Sequence, residues 1–105
     1  MNSTVSFDPA RLGAVSTQAV ALLKLLANPE RMQILCELSQ GERCVGELEE
    51  RLSIRQPTLS QQLGVLRTEG LVGTRREGKH IYYRVANAGC IEILAVLHRL
   101  FCPKE

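Results

Sequence analysis

The chain has 105 residues, a formal net charge of +2 and an apolar content of 45%. That length bounds it to one domain with a small core, for which oligomerisation is a further source of stability. The start MNSTVSFDPARL is polar, and the apolar run AVALLKLLA is broken by Lys24 and far short of the ~20 residues that span a bilayer, so neither a secretory signal nor a membrane partner is expected.

Residues 1–7 read as a flexible N-terminal leader, ahead of one domain over 8–105. Asp8-Pro9 opens a helix, with Asp8 as cap and Pro9 at the first position. Val15, Ala19, Leu22 and Leu26 carry its stripe to about Ala27, and Leu12 and Leu23 widen it. Gly13 weakens its first turns. Asn28-Pro29 repeats the device before PERMQILCELSQ, where Met32, Leu35 and Leu38 line one side and Cys36 lies beside them. Gly41 is the natural stop.

A third helix opens at Cys44. Glu47 stands three residues on, the spacing of a capping box with Cys in place of Ser or Thr. Val45, Leu48 and Leu52 form its apolar face. Ser53-Ile54-Arg55 leaves room only for a turn. Gln56-Pro57 then starts a fourth helix, with Pro57 at the first helical position and Leu59, Leu63 and Leu66 inward. Gly70 ends it. Leu71 to Glu77 and Lys79 to Val85 read as two strands joined around Gly78, with Ile81, Tyr83 and Val85 inward and Tyr82 and Arg84 outward. Asn87 caps a last helix from Ala88 to about Cys102, striped by Ile91, Leu94, Leu97 and Phe101 and stopped by Pro103.

The fold class is therefore mainly α with a small β-hairpin: a winged helix-turn-helix. The first and last helices carry more apolar surface than one such core needs, and the excess predicts a homodimer. The second helix of the pair lies in the major groove in such folds, and its first turns meet base edges. Gln56, Thr58, Ser60 and Gln61 are amides and hydroxyls suited to that task. Arg67 suits a phosphate or the dimer side. In the hairpin, Arg75, Arg76, Lys79 and His80 would meet phosphates or a minor groove. Each feature alone is as well explained by a solvated face; the combination points to double-stranded operator DNA.

VGELEERLSIRQPTLSQQLGVLRTEGLVGTRREGKHIYYRV and the upstream LLKLLANPERMQILCEL resemble the ArsR/SmtB family of bacterial winged-helix repressors, over about residues 18–102. The polar start and the absence of a spanning segment predict a cytoplasmic chain, and a dimer would read a palindromic operator; the resemblance implies a homodimeric, operator-bound repressor released by an inducer. The arsenical signature is incomplete, since Cys44-Val45-Gly46 holds one of its two cysteines. The zinc signature is absent, since the last helix offers only His98 with Glu92 before it. ILCEL and LFC are instead similar to the persulfide- and redox-responsive subgroup (BigR/SqrR-like). That likeness implies sensing by Cys36 and Cys102, converted by a reactive sulfur species or an oxidant into a disulfide or polysulfide link.

No cofactor is expected, and no enzyme, because no nucleophile–base–acid set or phosphate loop is present. Cys90 reads as packing and Cys44 as a cap; no metal site is assigned, with Cys44 and His98 as outside candidates. Two other readings stay open: a sensor of a thiophilic metal or metalloid through its thiolates, and a winged helix serving only protein interaction.

Overall fold

The computed structural model describes residues 7–102. The expected leader lies outside the described residues except for Phe7, which is exposed, and so does the Pro103 stop.

The caps that open three helices are as their residue types dictate. Asp8 accepts from the N–H groups of Ala10 and Arg11 at 3.1 and 3.3 Å. Asn28 accepts from Arg31 N at 3.0 Å, and Asn87 from Cys90 N at 3.1 Å. Each satisfies an N–H that the helix itself leaves without a partner. The first helix is not continuous, however. It forms α1 (Pro9–Ala14) and α2 (Ser16–Leu26), broken at Val15, whose φ of −112° and ψ of 14° leave the helical region. The Val15 N–H reaches back only three residues, to Leu12 O at 3.1 Å. A glycine two positions earlier and a β-branched residue at the break both weaken helix propagation there.

α3 spans Pro29–Leu38 and buries Ile34, Leu35 and Leu38. After it comes a strand that two residues could not announce: β1 (Arg43–Cys44) pairs antiparallel with β3, placing Arg43 opposite Tyr83 and Cys44 opposite Tyr82. The expected two-stranded hairpin is thus a three-stranded sheet in the order β1-β3-β2. β2 is Val72–Glu77 and β3 is His80–Val85, in register from Val72 opposite Val85 to Glu77 opposite His80. Gly78 and Lys79 form the turn, so Lys79 leaves the strand, and Gly78 takes a φ of 63° that other residues resist. Tyr83 and Val85 pack on the core as expected. Ile81 does not: it sits near the wing tip, beyond the reach of the helices, and is 39% exposed.

Between β1 and the wing stand α4 (Val45–Arg51) and α5 (Thr58–Thr68). Leu48 of α4 and Leu59, Leu63 and Leu66 of α5 are fully buried. Ile54, in the turn between them, is buried as well and plugs the angle of the two helices. Pro57 precedes α5 as its cap residue rather than filling its first turn. The capping is done by Gln56, whose Oε1 accepts from Ser60 N at 3.1 Å. At α4 the Glu47 carboxylate accepts from Cys44 N at 2.9 Å, the reciprocal half of the capping box.

The last helix, α6, spans Ala88–Phe101 and buries only Cys90 and Leu94. Ile91 is 44% exposed, Leu100 66% and Phe101 77%, while on α2 Val20 and Leu23 stand 46% and 54% open. The core thus belongs to α3, α4, α5 and the sheet, with α2 and α6 laid against it by one edge each.

Candidate DNA interface and thiol pair

α5 meets the core through Leu59, Leu63 and Leu66, and the 3.6-residue period puts its remaining residues on the surface. Gln56, Ser60, Gln61 and Arg67 are exposed, and Thr58 is half-buried at the first helical position. The amide oxygen of Gln56 is occupied by its cap bond, so its NH₂ is the group offered outward. Arg55, immediately before Gln56, is exposed at the same helix entrance. A basic residue beside the expected readers was the available signal for it. Gln62 is turned inward, into a network described below.

The wing brings Arg75, Arg76, Lys79 and His80 together at the far end of the sheet, all exposed. They are not equivalent. Arg75 donates from Nε to Glu42 at 2.7 Å and from Nη1 to Glu77 at 2.6 Å, and its guanidinium lies 4.8 Å from the centre of the Tyr82 ring. The bond from Arg75 holds the Glu77 carboxyl below its ordinary range, and the two carboxylates, Glu77 foremost, push the Arg75 guanidinium further up. Its charge is spoken for, whereas Arg76 and Lys79 make no ion pair among the described residues. Behind the wing, Arg84 lies flat across Gly73; a Cβ at residue 73 would come within 3.1 Å of its guanidinium carbon.

All four cysteines are free thiols. Cys90 is completely buried, as its packing role requires, and burial pushes its thiol up. Cys44 sits in β1 opposite Tyr82. Cys36 and Cys102 are both exposed. Cys36 borders a surface pocket of about 370 Å³ between α3 and α6, shared with Ser39, Ile91, Leu94, Ala95 and His98. Cys102 is the C-terminal cap residue of α6, one turn beyond His98 on that same side, its N–H bonded to His98 O at 2.9 Å. Partial burial foremost, then the charge of Cys102, raise the Cys36 thiol above its ordinary value. α3 also carries Glu37, which receives Arg43 of β1 and Arg51 of α4, each at 3.2 Å. Among the described residues no group of three or more His, Cys, Asp or Glu side chains is arranged to hold a metal ion.

A sequence profile described as bacterial regulatory protein, arsR family, matches residues 28–74. The biofilm growth-associated repressor of Agrobacterium fabrum is 53% identical over 90 residues, covering 86% of this chain and 77% of that protein. The chain belongs to the arsR family. The crystal structure of the transcriptional repressor BigR from Xylella fastidiosa superimposes with a TM-score of 0.89 at 42% identity, over 93% of this chain and 100% of that one. A solution structure from Mycobacterium bovis, described as a homodimeric winged helix-turn-helix DNA-binding domain, superimposes with a TM-score of 0.71 at 34% identity, over 91% and 89%. This arsR-family chain is accordingly a DNA-binding transcriptional regulator with a winged-helix fold, not an enzyme. None of its described helices is long and apolar enough to cross a membrane.

Proposed function

We propose that the protein is a transcriptional repressor that binds a palindromic operator as a homodimer and lets go when Cys36 and Cys102 become linked. The observation that carries the inducer reading is the pair itself: two exposed thiols, Cys36 on the pocket it shares with His98 of α6, and Cys102 one turn beyond His98 at the end of that helix. The homodimer is supported by the open apolar faces of α2 and α6 and by the dimeric relative. The free readers of α5 and the unpaired cations of the wing support operator contact, with half-sites one helical turn or a multiple apart.

The chemistry balances with an organic persulfide as oxidant. One protein thiolate attacks the outer sulfur of RSSH and expels RSH, leaving a protein persulfide. The second thiolate attacks the first cysteine's own Sγ, breaking its bond to the outer sulfur and expelling hydrosulfide, which leaves a disulfide. A second RSSH, consumed before closure, leaves one additional sulfur in the bridge. The link constrains α3 against α6, and Glu37 passes a displacement of α3 to α4 and β1 through Arg51 and Arg43.

The test is an electrophoretic shift titration with an organic persulfide, read beside intact mass. Wild type is expected to leave its DNA with loss of two hydrogens or gain of sulfur, and Cys36→Ser to stay bound. Equal release of both proteins refutes the thiol mechanism. Release by arsenite or zinc at stoichiometric amounts, with persulfide inert, would assign the thiolates to a thiophilic ion instead.

A further inference from the structure

Gln62 stands among the polar residues of α5 yet reads nothing outside. Its Oε1 accepts from Arg31 Nη1 at 3.1 Å, and its Nε2 donates to Glu30 Oε1 at 3.1 Å and to Asn28 Oδ1 at 3.4 Å. Arg31 has two further bonds on the other side: Nε to Leu25 O at 2.8 Å and Nη2 to Lys24 O at 3.3 Å. Those carbonyls lie in the last turn of α2, where a cation is favoured; Lys24 O also accepts the N–H of Ala27 at 3.3 Å. One planar guanidinium therefore spans two segments, a task for a fixed fork that an ammonium on a flexible stem performs poorly.

We propose that Arg31 and Gln62 are positioning residues for DNA reading: they lock α5 to the C-terminal end of α2, the helix whose open face is offered to a second copy. The inference rests on the DNA-binding homodimer proposed above. In that dimer the distance and tilt between the two copies of α5 depend on how rigidly each is held to its own dimerisation helix. Leucine packing seats α5 on the core; directional hydrogen bonds at mid-helix add a further constraint on its rotation and translation. The two residues touch no base and no phosphate in this role. They determine which half-site spacing the dimer accepts.

The test uses duplexes that wild type selects from a randomised pool, the same duplexes with one base pair inserted between half-sites, and an unselected random duplex. The insertion turns one half-site by about 35° relative to the other. Gln62→Leu is compared with Arg31→Lys, which keeps the charge and loses the fork, by fluorescence anisotropy at fixed salt, with thermal unfolding and sedimentation confirming folded dimers. Affinity for the selected duplex is expected to fall about tenfold, and affinity for the random duplex to stay within about twofold, because the phosphate contacts are untouched. The penalty for the inserted base pair should shrink in both variants. A folded variant with the wild-type penalty overturns the proposal, and so does equal loss on selected and random duplexes. If wild type selects no sequence at all, the DNA reading itself fails and the positioning role falls with it.

Discussion

The helices α4 and α5 and the helices α2 and α6 all carry leucine-rich stripes at helical spacing, yet their fates differ. Leu48, Leu59, Leu63 and Leu66 lose all contact with solvent inside one chain, whereas Leu23, Ile91 and Leu100 keep 54%, 44% and 66% of theirs. A stripe announces that a helix has an apolar face. It does not announce what covers that face. The inner pair is covered by its own chain, and the outer pair leaves an apolar band of a kind that soluble monomers rarely expose.

The largest expected effect tests the inner side. Leu63→Ala should cost about 2–5 kcal/mol of unfolding free energy, because the site is closed on all sides and a cavity stays behind. Chemical denaturation at one protein concentration measures it, and a loss under about 1 kcal/mol would put Leu63 outside the packed core. Next comes the outer side. Leu100→Asp should leave the helical circular dichroism unchanged while weakening self-association about a hundredfold, near 2.7 kcal/mol. Sedimentation across a dilution series reads this; an unchanged dimer would remove Leu100 from the interface.

The smallest effect contrasts a thiol from each side. Cys36 and Cys90 both have thiols raised above the ordinary value of 9.0, so each is held neutral in the folded chain. Any stability this gives is fully present below pH 9.0 and fades as pH rises through the folded values. Iodoacetamide labelling followed by mass spectrometry should show Cys36 reacting faster as pH climbs and Cys90 protected throughout. Cys102→Ser should speed Cys36 labelling at a given pH, since it removes a neighbouring negative charge. Unchanged labelling would mean that the two thiols are independent.

Much of the fold was legible because its signals are local. Asp8, Asn28 and Asn87 cap helices by chemistry carried within three residues of themselves, and the Leu59–Leu63–Leu66 stripe repeats three times. What escaped is set by partners distant in sequence. β1 is two residues long and exists only because β3 lies beside it. Ile54 is core because two helices close over a turn, and Ile81 is not because the wing projects past them. The amides and hydroxyls of α5 can be proposed as readers from residue type alone, but nothing distinguished Gln61, which faces out, from Gln62, which faces Arg31 across 31 positions. That Cys36 shares a pocket with Ile91, Leu94 and His98 of α6 was likewise invisible to spacing, since it joins elements more than 50 residues apart.

The pairing of Arg75 has a consequence for how the wing meets a polyanion. A free lysine or arginine that neutralises a phosphate sets loose a condensed cation from the nucleic acid, and that release makes binding fall as salt rises. Arg75 already has fixed counterions in Glu42 and Glu77. Moving to a phosphate would leave two carboxylates free to gather cations of their own, returning to the site what the phosphate gave up. On the proposed DNA reading, Arg75 would therefore add grip without adding to the ionic-strength dependence, which would fall instead to Arg76 and Lys79.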